Sequence, residues 1–137
     1  MLFKYSQQQF SDGKGMSLPL IPVTFKNKKH VMRTIALIDS GADISILPIQ
    51  IAGELNLKLN PKEKIEINAA GGNTFFVYPS ADKVECIIEQ KGFRSIVLRS
   101  KIYFTEAVAT ILIGYNNFLY QLKVVLDGTK KEVGINR

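Results

Sequence analysis

Two β-prone runs separated by a polar turn constrain this chain more than any other feature. The first run extends from Leu20 to Phe25, the turn is Lys26-Asn27-Lys28-Lys29, and the second run extends from Val31 to Ile38. Two such runs on either side of a short polar segment predict a β-hairpin. The second predicted strand leads directly into Asp39, so this hairpin delivers a carboxylate at the end of an apolar strand.

The rest of the chain repeats this pattern of strands and turns. The small residues from Asn68 to Asn73 and the pair Asp127-Gly128 each separate two β-prone runs, which predicts two further hairpins. Apolar and charged residues alternate between Lys83 and Glu89, as in a strand with one buried face. Pro48 precedes an apolar run that predicts one short helix, and a second is predicted near Asn116. The fold class is therefore mostly β, with about seven to nine strands and one or two short helices.

Length and composition favour one compact domain. The chain has 137 residues, of which 46% are hydrophobic and 22% charged, as in an ordinary globular protein. Residues 1–17 are polar and lack a clear hydrophobic period, so they predict an N-terminal arm or a first strand. Residues 18–137 are predicted to form the folded domain.

The net charge of +6 permits an acidic partner, because 18 Lys and Arg residues stand against 12 Asp and Glu residues. The basic residues lie in short clusters, such as Lys26, Lys28 and Lys29, and form no long run or known nucleic-acid-binding motif. We therefore expect a solvated surface and no nucleic-acid partner. A basic nucleic-acid-binding β-barrel is the less favoured alternative.

Cys86 and His30 are the only residues of their kinds, which excludes an intrachain disulfide and a Cys/His zinc cluster within one subunit. A Cys–His thiol-protease pair is disfavoured, because His30 lies in a Lys-rich turn and Cys86 on the apolar face of a strand. Every apolar run is far shorter than the roughly 20 residues of a membrane span, and the N-terminus lacks the apolar segment of a secretory signal. We expect a cytoplasmic protein with no membrane partner.

The segment Asp39-Ser40-Gly41 is the strongest candidate for chemistry. An ionised carboxylate buried without a partner costs roughly several kcal/mol, so a carboxylate at the end of an apolar strand requires an explanation. The structural alternative is a strand-end turn, in which an Asp or Ser side chain bonds to nearby backbone amides. The triplet alone is a weak signal, and its context decides between the two interpretations.

That context resembles the retropepsin-like aspartic proteases. The segment Ala36 to Leu47 is similar to the family's catalytic segment, and Asn68 to Asn73 is similar to its flap tip. Ile111 to Leu119 resembles its hydrophobic-hydrophobic-Gly turn with a short helix behind it. The resemblance covers about residues 18–136. It implies a closed β-barrel of the single-lobe acid protease type, with a flap hairpin, in an obligate homodimer.

The resemblance also implies roles for individual residues. It makes Asp39, Ser40 and Gly41 catalytic: the carboxylate activates a water, the hydroxyl ties two catalytic loops together, and the glycine permits close approach. It assigns substrate binding to the end of the catalytic segment and to the flap tip, namely Ala42, Asp43, Ala69, Ala70, Gly71 and Gly72. For Asp43, the alternative is a turn carboxylate that faces solvent or caps local backbone amides.

Peptide hydrolysis by carboxylates needs one base and one acid, so two Asp side chains must share a site. This chain contains one Asp-Ser/Thr-Gly triplet, and the second carboxylate is therefore expected from Asp39 of a second subunit. The predicted function is a homodimeric aspartic endopeptidase that acts on peptide or protein substrates and needs no metal or organic cofactor. The main alternative is a catalytically inactive module that kept the fold for dimerisation or peptide binding.

Two features differ from the retroviral pattern. Tyr115 follows Gly114, where retroviral members usually place an Arg that pairs with the second Asp of the catalytic segment. Asp43 is therefore expected to lack that ion pair. Chain ends in the family often interleave to build the dimer interface, so we expect the interface at Lys130 to Ile135.

Overall fold

The computed structural model describes residues 1–9, 11–69 and 71–137. Across them it has more strands than predicted, because the chain ends and several two- to four-residue segments also pair. The strands are β1 (Leu2–Lys4), β2 (Ser6–Gln9), β3 (Gly15–Leu18), β4 (Leu20–Asn27), β5 (His30–Ile38), β6 (Ile46–Pro48), β7 (Ile65–Asn68), β8 (Thr74–Pro79), β9 (Val84–Ile88), β10 (Ile96–Ser100), β11 (Tyr103–Thr105), β12 (Leu112–Ile113), β13 (Lys123–Asp127) and β14 (Glu132–Asn136). The helices are α1 (Ile49–Glu54) and two 3-10 turns, Pro61–Glu63 and Leu119–Gln121.

Nine strands form the main sheet, in the order β10-β9-β4-β5-β12-β6-β11-β8-β7. The predicted hairpin of β4 and β5 lies near its middle, and its first strand buries Ile21, Val23 and Phe25. The predicted alternation in β9 is confirmed, because Val84 and Cys86 face the core. Apolar residues on every second position thus build the core against which the loops are held.

The order of three neighbouring strands positions the candidate site. β12 pairs in parallel with β5 and antiparallel with β6, so it lies between two strands that are consecutive in the chain. The loop of residues 39–45, which joins β5 to β6, must therefore pass over the end of β12. Asp39 and Gly114, the residues that follow β5 and β12, are brought side by side by this arrangement.

The predicted closed barrel is wrong in one respect. The main sheet curls into a half-barrel, but its edge strands β10 and β7 do not pair with each other among the described residues. The reason is the connection of β7, which is joined to the sheet only through β8 in a hairpin and has three exposed residues of four. The sheet therefore ends in a hairpin that extends from the core.

The two chain ends form a separate three-stranded sheet in the order β1-β14-β13. Met1 and Phe3 are buried in the core, and the N-terminal ammonium donates to the Ile135 carbonyl at 2.8 Å. The segment predicted as an arm or first strand thus contains a paired first strand, followed by a small hairpin of β2 and β3.

The helix predicted after Pro48 is present as α1. The second helix, predicted near Asn116, is only a single 3-10 turn at Leu119–Gln121. In the parts of the chain that the structure describes, no helix is long and apolar enough to cross a membrane.

Candidate active site

Asp39 lies at the end of β5, where it is partly exposed. Its backbone N–H donates to the Ile113 carbonyl at 3.0 Å, which ties the residue to β12. Its Oδ1 accepts a hydrogen bond from the Gly41 N–H at 3.1 Å, and its carbonyl accepts one from the Ala42 N–H at 3.2 Å. The carboxylate is therefore oriented by a local turn while it stays accessible to a ligand.

Gly114 allows the loop of residues 39–45 to cross over the end of β12. A Cβ at this position would lie 2.3 Å from the Ile44 carbonyl oxygen and 2.9 Å from that of Ala42, so only glycine fits. The next two backbone amides then bond to the loop: Tyr115 N–H donates to the Ala42 carbonyl at 2.8 Å, and Asn116 N–H to that of Asp43 at 2.9 Å. Backbone contacts thus hold residues 42–44 in place.

Two buried polar residues fix the same loop from below, and the sequence interpretation missed both. The Ser45 N–H donates to Asn117 Oδ1 at 2.5 Å, and Ser45 Oγ accepts from the Gly114 N–H at 2.9 Å. Asn117 Nδ2 donates onward to the Lys101 carbonyl at 2.8 Å. The available signal was a polar residue set among apolar ones, as in Ile44-Ser45-Ile46, because a buried polar group must be hydrogen-bonded.

The hairpin predicted around Asn68 to Asn73 is present as β7 and β8, and its role as a flap stays a prediction. Ala69 N–H donates to the Asn73 carbonyl at 2.8 Å, and Gly72 N–H donates to the Ala69 carbonyl at 3.1 Å. Gly71 and Gly72 have φ values of +98° and +85°, in the region that glycine adopts without strain. Ala70, also predicted to bind substrate, lies outside the described residues.

The predicted site residues form two groups that no hydrogen bond connects among the described residues. Residues 39–43 form one loop, but no hydrogen bond links them to 69 or 71–72 among the described residues. Asp43 is exposed, and its side chain makes no ion pair within the described part of the chain. This agrees with the expectation drawn from Tyr115, and leaves any role of Asp43 toward a substrate as a prediction.

Cys86 is a buried core residue. Burial raises the pKa of its thiol to about 12, which keeps it protonated and unreactive. His30 lies at the half-exposed start of β5, opposite Asn27. Among the residues the structure describes, no three His, Cys, Asp or Glu side chains gather as a metal site would require.

An open apolar groove lies directly beside the catalytic segment. Ser40 lines it together with side chains from the 3-10 turn region and from β13, namely Tyr115, Leu119, Leu122, Val124 and Leu126. We call it the Ser40 groove. Tyr115 and Leu126 are 54% and 41% exposed, which is high for large apolar side chains that lie side by side.

No family model matches this sequence, and no curated protein matches it. Two solved structures are similar to it. A retropepsin-like aspartic protease from Rickettsia conorii is 15% identical over 99% of this chain and 98% of that chain, with a TM-score of 0.55. The EIAV protease, complexed with the inhibitor HBY-793, is 19% identical over 78% of this chain and 88% of that chain, with a TM-score of 0.48. The strand order, the glycine at the crossing and the first of these likenesses agree: the chain has a retropepsin-like fold.

Proposed function

We propose that this chain is one half of a homodimeric aspartic endopeptidase. The observation that carries the proposal is the placement of Asp39, whose carboxylate is accessible while its backbone and side chain are both held by hydrogen bonds. Preorganised, accessible carboxylates are what acid–base hydrolysis of an amide requires. The retropepsin-like fold supports the same class of chemistry.

The second carboxylate is proposed to come from a second copy of the chain. Of the other aspartates, Asp12, Asp82 and Asp127 lie in turns or at a strand end outside the loop that carries Asp39. Asp43 lies in that loop, but it is exposed and stands outside the Asp-Ser-Gly triplet. A two-fold axis beside this loop would place two Asp39 side chains in one site, which is how a single-lobe chain acquires an acid and a base.

The proposed reaction uses the two carboxylates with one shared proton, because two close carboxylates do not both ionise readily. The ionised Asp39 takes a proton from a water while the protonated one donates to the substrate carbonyl. The water oxygen then bonds to the carbonyl carbon and gives a tetrahedral diol. The carboxyl group that took the water proton then donates it to the amide nitrogen, while the other carboxylate takes a proton from one diol hydroxyl. The C–N bond breaks, an amine and a carboxylic acid leave, and the pair again holds one proton.

The substrate is proposed to be an extended peptide held between the loop and the flap. The tip at Ala69, Gly71 and Gly72 carries backbone groups suited to pair with an extended strand, and its closure would exclude water. Ala42 and Asp43 would contact the same peptide from the opposite side. Ser40 and Gly41 would hold the two catalytic loops against each other. Cytoplasmic localisation remains a prediction from the sequence.

Cleavage of denatured casein between pH 3 and pH 8 tests the proposal. We expect Asp39→Asn, which keeps the side-chain shape, to lower the rate by at least about a hundredfold, because it removes the acid and the base together. A statine-type transition-state mimic should inhibit the wild type. The rate should pass through a maximum with pH, since the carboxylate pair must hold one proton.

Asp82→Asn is the matched control, because this exposed aspartate lies in a turn outside the proposed site. It should cleave at the wild-type rate. Cleavage that survives Asp39→Asn would contradict the proposal. A folded wild-type dimer that cuts no substrate at any pH, yet binds a peptide equally well with Asn at position 39, would support the inactive binding module instead.

A further inference from the structure

The terminal sheet has two outer strands, and only one of them is open. β14 is the central strand, with β1 on one side and β13 on the other. Both of its edges are therefore occupied within the chain, so it cannot pair directly with a strand of another subunit. Interleaving through Lys130 to Ile135, expected from the sequence, does not fit this arrangement.

The hydrogen-bond pattern shows which groups of β13 face outward. Ile135 exchanges backbone hydrogen bonds with Met1 on the β1 side, at 2.9 Å and 2.8 Å. Successive residues of a strand direct their N–H and C=O to opposite edges, so Gly134 faces β13 and bonds with its partner Val125. The N–H and C=O of Val124 and Leu126 consequently point to the open edge.

The opposite edge of the sheet is covered. The Leu2 N–H donates to Gln90 Oε1 at 2.9 Å, and Gln90 Nε2 donates to the Leu2 carbonyl at 2.6 Å. The amide of this one side chain thus substitutes for a neighbouring strand on β1. β13 has no such cover among the described residues, and an open, apolar edge strand is a template for pairing with another chain.

We propose that a second copy of this chain docks on β13, with the two β13 strands antiparallel about a two-fold axis at Val125. In this register Val124 of one copy lies opposite Leu126 of the other, and each such pair exchanges two backbone hydrogen bonds. The axis generates this pair twice. The inference deepens the proposed function, because it names the surface through which the two halves of the site assemble.

The charges at the two ends of β13 favour a second copy of the chain as the partner, paired in this register. Lys123 and Asp127 lie at the two ends of β13, so the two-fold axis at Val125 places Lys123 opposite the partner's Asp127. The same pair is formed on the other side of the axis. Opposite charges directly across a strand pair stabilise it, whereas like charges destabilise it. A strand with a cation at one end and an anion at the other is complementary to itself in the antiparallel orientation.

The geometry also serves the catalytic site. Residues directly opposite each other in an antiparallel pair project to the same face of the sheet. The side chains of Val124 and Leu126 line the Ser40 groove, so the Ser40 grooves of both copies would lie on one side of the joined sheet. Both catalytic loops would then approach the axis from the same side, as a shared pair of Asp39 carboxylates requires.

A charge-reversal cycle measured by sedimentation equilibrium tests the interface. Lys123→Asp places carboxylates opposite each other at both ends and should raise the dimer dissociation constant by about three- to thirtyfold. The double variant Lys123→Asp with Asp127→Lys restores opposite charges and should return the constant toward the wild-type value. Lys26→Asp, which reverses an exposed lysine of β4, is the matched control and should dimerise like the wild type.

Hydrogen exchange gives an independent reading. The amides of Val124 and Leu126 should gain protection only at concentrations where the dimer forms, whereas the Val125 amide, bonded to β14, should be protected at every concentration. Leu126→Pro removes an outward N–H without touching the β13–β14 ladder, and should leave a folded monomer.

The outcomes separate this inference from the proposed function. A wild type that dimerises and cleaves casein, while Lys123→Asp and Leu126→Pro dimerise unchanged, would overturn the β13 interface and leave the protease proposal standing. A dimer that depends on β13 yet shows no Asp39-dependent cleavage would support the interface and contradict the protease. A wild type that stays monomeric at high micromolar concentration would overturn the interface.

Discussion

The loop of residues 39–45 and the tip of the β7–β8 hairpin both join two strands, yet the structure holds them in opposite ways. Residues 39–45 are tied to β12 and to the segment after it by backbone bonds and by buried Ser45 and Asn117. Residues 69 and 71–73 are exposed or half-buried, and the hydrogen bonds of this tip join it only to itself among the described residues. The first turn is fixed by contacts with the core, whereas the second makes hydrogen bonds only within its own hairpin among the described residues.

The difference between the two turns arises within β8, which is anchored at its base and not at its tip. Its base is anchored where Thr105 Oγ1 donates to the Phe76 carbonyl at 2.8 Å and accepts from the Ala107 N–H at 3.1 Å. Thr105 is buried there. Beyond this point β7 and β8 pair only with each other. The proposed active site, which would hold a carboxylate still and admit a peptide, would need this combination.

The largest effect should come from adding a methyl group at the fixed turn. Gly114→Ala should lower the free energy of unfolding by about 3 kcal/mol or more, because the new Cβ meets backbone atoms that cannot rotate away. Gly128→Ala is the control, since a Cβ there meets no atom within 4 Å, and it should be nearly neutral. Urea unfolding of both variants measures the difference. Equal stabilities would show that the crossing is looser than described.

Disrupting the buried hydrogen bonds of Asn117 should cause the second-largest loss in the free energy of unfolding. Asn117→Ala leaves the Ser45 N–H and the Lys101 carbonyl without their partner, and should cost about 2–3 kcal/mol in the free energy of unfolding. Asn73→Ala, in the exposed flap tip, should cost at most about 0.5 kcal/mol. Urea unfolding of the two Asn variants compares the same side-chain loss in the two turns. If Asn73→Ala lowered the free energy of unfolding more than Asn117→Ala does, the comparison of the two turns would be wrong.

Alkaline pH should weaken the core on which the fixed turn depends. Burial raises the pKa of the Cys86 thiol from 9.0 to about 12, so above pH 9 the unfolded chain releases this proton before the folded one does. The free energy of unfolding should therefore be unaffected below pH 9 and fall by about 1.4 kcal/mol per pH unit above it, until pH 12.

Cys86→Ala is the control for this slope. The variant is less stable overall because it leaves a cavity, but the difference between its pH profile and that of the wild type isolates the contribution of the thiol. Parallel profiles from pH 8 to pH 11 would contradict the burial of Cys86. Urea unfolding at each pH provides the measurement.

The smallest effect on stability should come from a substitution at the tip of the β7–β8 hairpin. Gly71→Ala introduces a side chain at a φ of +98° with no atom within 4 Å of its Cβ, so only backbone strain of about 1 kcal/mol is expected. Under the proposed function its effect on kcat/KM should be larger than its effect on folding, because the lid must close over the peptide. An unchanged kcat/KM would contradict the proposed role of this hairpin in closing over the substrate.

Much of the fold follows from local pattern. The hairpins of β4 with β5, β7 with β8, and β13 with β14 were predicted because each has polar or glycine residues between two β-prone runs, and all three are confirmed. The burial of Cys86 was predicted from alternation along its strand. The retropepsin-like fold was predicted from the order of these elements around Asp39 and is confirmed.

The less accurate predictions depended on contacts between distant segments. β1 pairs with β14 although their residues lie at opposite ends of the chain. Local hydrophobic periodicity does not predict such a pairing. The closed barrel was expected from family resemblance, whereas β7 is joined to the sheet only through β8, and the sheet stays open among the described residues. The strand expected to interleave is the centre of its own sheet.

The positions of the turns and the candidate site residues could be predicted from local pattern, because glycine, asparagine and strand periodicity act over a few neighbouring residues. The folded structure was needed to show that Gly114 lies under Ile44, that Ser45 bonds to Asn117, and which sheet edge stays open among the described residues. These relations depend on which strands lie side by side. That choice is made by packing the whole core at once, and a local pattern does not contain it.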